Sequence, residues 1–212
     1  MNGNDKNEAQ KNVEQILNTS TFDSAVKLSI GELRLSVKRK WILVVFGLVV
    51  FLLLYYIIFT TGIISKTIIF VELINTIVIA LLGSVITGYA IFQALATGST
   101  LRRLIIAKHE EKSLLIKYNG FFLVLAVMYL FIIFTNYLIL LFLKTVPTDW
   151  FFPFLPLKTN RVVCVVLVTL YLTIVANSII EFKSFIYNLY QCFNINSATN
   201  VLDSIKEQNK DT

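Results

Sequence analysis

The sequence predicts an all-α protein, an integral membrane four-helix bundle with cytoplasmic amphipathic helical extensions. Of its 212 residues, 56% are hydrophobic and only 15% are charged, a balance far from that of soluble domains. Four apolar stretches are also long enough to cross a bilayer, because about 20 helical residues span a hydrocarbon core of about 30 Å. Barrel strands would be shorter and would alternate apolar with polar residues, and these stretches do not.

The four predicted spans form one transmembrane domain at residues 41–193. They cover residues 41–60, 68–93, 121–143 and 162–180. A polar tail, residues 1–20, precedes this domain and is expected to be mobile, and a short polar tail, residues 194–212, follows it with a helix break expected at 194–197.

Residues 21–40 are expected to form a basic amphipathic helix next to the first span. Val26, Ile30, Leu33 and Val37 recur at helical spacing on one face, and Asp23 or Ser24 could cap its start. Such a helix either lies along the inner membrane surface or packs on the loop between spans two and three. That loop is itself expected to be helical up to Asn119–Gly120.

Basic residues predict the orientation of the spans. The N-terminal tail holds seven of the 19 Lys and Arg residues, the second loop five and the C-terminal tail three, whereas the first and third loops share four. Because Lys and Arg favour cytoplasmic flanks, the sequence predicts a multi-pass protein of the cell inner membrane with both termini cytoplasmic. Orientation and attraction to membrane lipids then account for the formal net charge of +6, and nucleic acid is not an expected partner.

The third loop, residues 144–161, contains all three prolines of the chain and four large aromatic residues. Proline breaks helices, and aromatic side chains partition well at the level of the lipid headgroups. We therefore expect this loop to lie on or dip into the outer membrane interface. A re-entrant cap over a pore mouth is the alternative.

The second span carries polar and small residues where lipid would favour leucine and valine. A helical projection places Glu72, Thr76, Gly83 and Thr87 on one side. Beside them runs a row with small-xxx-small spacing, which lets two helices approach closely. This row consists of Ala80, Ser84 and Gly88. We expect this side to line a helix interface or a water path.

The fourth span repeats this pattern with a row at four-residue spacing, and Glu181 lies just past its end. The row consists of Thr169, Thr173 and Asn177. Intramembrane hydroxyl and amide groups seek partners, so the rows of spans two and four are candidate mates in a monomeric bundle. An intramembrane acid usually marks a pathway or a partner, although Glu72 is expected only about 6 Å below the outer boundary.

No catalytic, cofactor-binding or metal site is predicted. His109 beside Glu110 and Glu111 is a cluster of chemical groups without the second His of a zinc motif, and a solvated charged face explains it. Cys164 and Cys192 form no Cys-x-x-Cys pair and are expected to be inert thiols.

The predicted function is that of a non-enzymatic membrane protein that forms homo-oligomers and acts at the membrane as a pore-forming or membrane-perturbing effector. The alternative is a membrane-anchored adaptor or immunity-type protein whose tails bind a cytoplasmic protein partner. A small secondary transporter is a third class, which the absence of an inverted repeat disfavours.

Overall fold

The computed structural model describes residues 10, 14, 21–33, 36–109 and 112–209. These residues are helical apart from loops and one two-residue antiparallel pairing, so the predicted all-helical class is confirmed. The predicted N-terminal tail lies outside the described residues except at Gln10 and Glu14. Glu110 and Glu111 of the predicted charged face also lie outside them.

Six α-helices occur in the described part of the chain. They are α1 (Phe22–Ser29), α2 (Val37–Tyr56), α3 (Ile63–Leu95), α4 (Gly98–Ile106), α5 (Leu114–Thr145) and α6 (Leu157–Gln208). Two 3-10 turns, Ile30–Leu33 and Ile58–Thr60, follow α1 and α2. Strands β1 (Lys108–His109) and β2 (Lys112–Ser113) pair between α4 and α5.

Three of the described helices, α3, α5 and α6, are long and apolar enough to cross a membrane. They contain the second, third and fourth predicted spans. Helix α2 has 20 residues and contains most of the predicted first span, but three of its first four residues are Lys38, Arg39 and Lys40. A membrane crossing by α2, which would complete the four-span bundle, is part of the proposed function.

The predicted helix 21–40 is divided between two helices. Thr21 caps the start of α1 with a capping box. The Thr21 hydroxyl accepts a hydrogen bond from the Ser24 backbone N–H, and the Ser24 hydroxyl accepts one from the Thr21 backbone N–H. Ser36 begins α2 in the same way, since its side chain accepts from the Arg39 backbone N–H at 3.3 Å. The extended backbone of Ser36 therefore separates the two helices.

Two helix boundaries predicted from polar residues are absent from the described structure. Helix α5 runs through Asn119 and Gly120, and α6 runs through residues 194–197 to Gln208. The Thr100 hydroxyl donates to the Asn196 side-chain oxygen at 2.9 Å, so tertiary contacts of this segment override its weak helix propensity.

The chain divides into two compact units. Unit 1 consists of the described residues of Met1–Arg34 with Gly83–Ala126 and Phe182–Thr212, and unit 2 consists of Leu35–Leu82 with Val127–Glu181. Aromatic rings fill the interior of unit 1, where Phe122 contacts Phe92 and Phe185 at centroid distances of 5.4 and 5.6 Å. In unit 2, Leu54 of α2, Phe59 of the following 3-10 turn and Val165 of α6 belong to a buried apolar cluster.

Candidate functional site

Helix α3 buries one apolar side, and its exposed surface carries small and polar residues together with large apolar ones. The buried side carries Ile64, Val71, Ile74, Val78, Val85 and Phe92. The exposed residues directly away from this core include six of the predicted site residues, which we call the α3 stripe. The stripe consists of Glu72, Thr76, Ala80, Gly83, Ser84 and Thr87. Exposed isoleucines, including Ile79 and Ile86, flank it.

The Thr hydroxyls of the α3 stripe bond to their own helix. Thr76 donates to the Glu72 backbone carbonyl at 3.1 Å, and Thr87 donates to the Gly83 carbonyl at 3.0 Å. These bonds satisfy the hydroxyl protons without a second helix. The stripe is thus small and weakly polar, and its oxygen atoms can still accept hydrogen bonds.

Gly88 is the predicted site residue of α3 that lies on the buried side. A Cβ atom built on it would lie 2.3 Å from the Phe185 ring of α6, a distance that no packed side chain tolerates. By contrast, a Cβ atom on Gly83 would meet nothing within 4 Å. Gly88 therefore makes room for an aromatic ring within unit 1, whereas Gly83 faces open space.

Glu72 has a partner that the sequence did not indicate. Its carboxylate lies 2.7 Å from the Lys144 ammonium at the end of α5, and the two side chains are 48% and 57% exposed. Such an exposed pair contributes little stability in water. It nevertheless balances the charge of the acid that the sequence singled out.

The polar row of α6 faces α2 in unit 2. Thr169 is buried, and a Cβ atom on Gly47 of α2 would lie 3.2 Å from the Thr173 hydroxyl. The backbone carbonyl of Asn177 accepts a bond of 2.7 Å from Arg39 of α2. Thr173 of this row thus contacts α2, while Glu72 and Thr76 of α3 remain exposed.

A buried ion pair joins α2 to α6 at one end of this contact. The Arg39 guanidinium donates to the Glu181 carboxylate at 2.5 Å, and their side chains are only 14% and 4% exposed. The sequence placed Glu181 just past the fourth span, but Arg39 was not predicted as its partner. The sequence did contain one signal for this pairing. Arg39 precedes the predicted first span and Glu181 follows the predicted fourth span, so both lie at the same predicted membrane boundary on helices that run in opposite directions.

A second arginine joins the same two helices at the other end. Arg161 of α6 donates to the Tyr55 backbone carbonyl of α2, and its guanidinium carbon lies 4.8 Å from the centre of the Tyr55 ring. Between the two arginines, the Gly47–Thr173 contact keeps the same antiparallel register. Together these contacts hold α2 along α6 for about 24 Å, given 1.5 Å rise per residue.

A network of amide and hydroxyl groups joins α5 to α3 and to α6 within unit 2. Asn136 of α5 is fully buried, accepts from the Tyr171 hydroxyl at 2.7 Å and donates to the Asn75 side chain at 3.4 Å. Tyr129 of α5 donates to the Ser178 carbonyl of α6 at 3.0 Å. The buried side chains of Asn136 and Tyr129 and the partly buried side chain of Tyr171 therefore have specific partners, as burial of polar groups requires.

Helix α1 packs within unit 1. The Ser29 side chain is buried, and it lies so close to Gly120 of α5 that a Cβ atom there would be 2.3 Å from its hydroxyl. Of the two locations open to α1, the structure thus favours packing on the segment before span three over lying on the membrane surface. Cys192 of α6 is fully buried in this unit, and its burial raises the pKa of its thiol, which disfavours the reactive thiolate.

Comparisons with protein families, curated proteins and solved structures give no match to this chain. Within the described residues, no group of three or more His, Cys, Asp and Glu side chains is arranged to hold a metal ion. Three features of the described structure are therefore available to support a function: the α3 stripe, the exposed Glu72–Lys144 pair and the α2–α6 contact with its two arginines.

Proposed function

We propose that the chain is a non-enzymatic, four-span protein of the cell inner membrane that self-associates through the α3 stripe. The observation that carries this proposal is the exposure of the stripe. Lipid accepts Ile, Leu and Val at lower cost than Thr, Ser or Glu, yet α3 exposes the small and polar residues of the stripe among its exposed isoleucines. A second copy or water is the partner that suits such a surface.

The contact between α2 and α6 supports the count of four spans. A helix of 20 residues is about 30 Å long, the thickness of the hydrocarbon core. Because α2 lies antiparallel along α6, a helix that meets the length and composition of a span, both would cross together. Four crossings return the chain to its starting side, in agreement with the basic residues on both cytoplasmic tails.

The small size of the stripe residues supports association between copies. Transmembrane helices associate mainly through close van der Waals packing, which small residues permit. Ala80, Gly83 and Ser84 are small and exposed, Gly83 faces open space, and the exposed isoleucines beside them would add apolar area to the contact. In the assembly, Thr76 and Thr87 would face the seam or a central water path, through which the protein would permeabilise or sense the membrane.

The experiment is to measure the mass of the purified protein in mild detergent together with a Gly83→Leu, Thr87→Leu variant. Gly83 has open space and Thr87 is exposed, so a single chain should fold normally with both changes. We expect an oligomer for the parent and a smaller species for the variant. A cysteine at Thr76 should also cross-link two copies, whereas one at the exposed Phe131 of α5 should not. A monomeric parent would contradict the proposal.

One observation favours the alternative function of a membrane-anchored adaptor. Helix α6 has 52 residues and is about 78 Å long, more than twice the hydrocarbon thickness. Its last part exposes Ile186, Tyr190, Phe193, Val201 and Ile205 beyond the predicted span. If the parent is monomeric and shows no conductance in planar bilayers, this segment becomes the candidate binding surface for a cytoplasmic protein.

A further inference from the structure

The loop between α5 and α6, residues 146–156, has a defined shape that one side chain maintains. The Asn160 side chain accepts from the Phe152 backbone N–H at 3.0 Å and donates to the carbonyls of Phe152 and Leu155 at 3.1 and 2.8 Å. A further bond joins the Trp150 N–H to the Pro147 carbonyl. We call residues 146–156 the aromatic loop.

Aromatic rings attach the base of the aromatic loop to α5. Trp150 packs edge-on against Phe142 at 5.6 Å and against Phe152 at 4.8 Å. Contacts of this kind hold rings in place. The backbone bonds and the rings together give a loop that projects its tip in a fixed direction.

The tip of the aromatic loop is apolar and exposed. Phe154 is 93% exposed, and Leu157, at the start of α6, is 70% exposed. Phe151 is 48% exposed on the same loop. Apolar side chains grouped in this way at an exposed tip suit an apolar partner.

The position and charge of the aromatic loop indicate which partner this is. It connects two helices that are long and apolar enough to cross a membrane, so it lies at a membrane boundary if they do. Lys158 is exposed at one end of it, and its ammonium group matches the phosphates of lipid headgroups, while Lys144 at the other end is paired with Glu72. Aromatic side chains at the headgroup level with nearby lysines are typical of interfacial anchors.

We infer that the aromatic loop is a lipid anchor that inserts Phe154 into the outer leaflet. This inference rests on the proposed membrane crossing of α5 and α6, but it is independent of self-association. It deepens the proposed function, because an anchor at the outer end of α5 and α6 would fix their depth in the bilayer. Lipid thus contacts the inserted tip of this loop directly, in addition to surrounding the membrane-spanning helices.

The experiment uses the full chain with a single tryptophan, reconstituted in phosphatidylcholine–phosphatidylglycerol vesicles. Trp41→Phe and Trp150→Phe remove the native tryptophans, and Phe154→Trp adds one at the tip. The matched control is Thr148→Trp, in the same loop but on its polar part. Lipids with brominated tails report contact with the bilayer interior, and iodide reports contact with water.

We expect brominated lipid to quench the tip tryptophan at least about twofold more strongly than the control tryptophan, and iodide to quench it several-fold less. Asn160→Ala should reduce this difference, because the loop loses the three bonds that shape it. Strong iodide quenching of the tip tryptophan would overturn the inference. Protection from both quenchers would also overturn it and would assign the tip to a second copy. Resistance of the protein to alkaline extraction from membranes tests the crossing itself separately.

Discussion

Arg39 and Glu181, 142 residues apart in the chain, form a 2.5 Å ion pair that is almost fully buried between α2 and α6. A second bond from the same guanidinium to the Asn177 carbonyl fixes its orientation. Buried charges are costly unless they are paired, so neither residue can change alone without leaving the other in an unfavourable environment. The pair therefore specifies how α2 lies on α6, more than it adds to stability.

We predict that Arg39→Met or Glu181→Leu destabilises the protein by about 3–5 kcal/mol, because each leaves one buried charge unpaired. Unfolding in mixed micelles with increasing denaturing detergent would measure the loss. The exposed pair provides the control, and Lys144→Met should cost less than about 1 kcal/mol.

The double variant Arg39→Met, Glu181→Leu should be more stable than either single variant, since it removes both buried charges at once. Equal losses for the buried and the exposed pair would contradict the assignment of Arg39 and Glu181 as the contact that specifies the α2–α6 register. A double variant whose loss of stability equals the sum of the two single losses would also contradict this assignment.

Two glycines on α3 provide a second prediction. Gly88→Ala should destabilise unit 1 by about 1–3 kcal/mol, because the new methyl group would overlap the Phe185 ring, whereas Gly83→Ala should be neutral or slightly stabilising. Thermal unfolding in detergent distinguishes them. Phe185→Leu should partly rescue Gly88→Ala, and failure of that rescue would show that the overlap is not the cause.

The amide network of unit 2 provides a third prediction. Asn136→Leu should destabilise the protein by about 1–2 kcal/mol, because it leaves the Tyr171 hydroxyl buried without its acceptor. Tyr171→Phe removes the other half of the same bond, so the double variant should cost less than the sum of the two. A purely additive result would indicate that the 2.7 Å bond contributes nothing.

The sequence was sufficient to predict the elements that follow from local composition. Long, predominantly apolar stretches specify a long helix at three of the predicted spans, and the helical projection of the second span correctly grouped Glu72, Thr76, Gly83 and Thr87, all of which are exposed. Helix ends were harder to predict. Asn119–Gly120 predicted a stop, yet the helix continues there, because Ser29 packs against the open face of Gly120.

Pairing between distant residues was not available from the sequence. Lys144 was counted only as a basic residue of an outer loop, and its contact with Glu72 depends on where α5 ends relative to α3. Gly88 fitted a small-xxx-small row with Ala80 and Ser84, but an eight-residue row rotates by about 80°, which carries Gly88 to the buried side. Spacing alone does not show which member of such a row faces the core.

The orientation of the spans provides a fourth prediction. Single cysteines at Ser65 and Asp149, both exposed, should react with a membrane-impermeant maleimide from outside the cell, and cysteines at Asn4 and Asn209 should react only after permeabilisation. Cys192 is buried with a raised thiol pKa, so it should contribute little background. The reverse labelling pattern would invert every assignment of inside and outside.

The last prediction concerns the charges of the Glu72–Lys144 pair in an assembly that conducts ions. Glu72→Gln keeps the size and hydrogen bonding of the side chain but leaves the Lys144 ammonium unbalanced, so a ring of these residues should lose cation preference and shift toward anions. Lys144→Gln leaves the carboxylate unbalanced and should shift selectivity the opposite way. Reversal potentials in planar bilayers under a salt gradient measure both shifts, while the oligomer mass should stay unchanged because the two side chains are about half exposed. Shifts of the same sign, or none in a conducting parent, would place the pair away from the ion path. Absence of conductance in the parent would favour the adaptor function, for which deletion of residues 1–20 or 197–212 is the matching test.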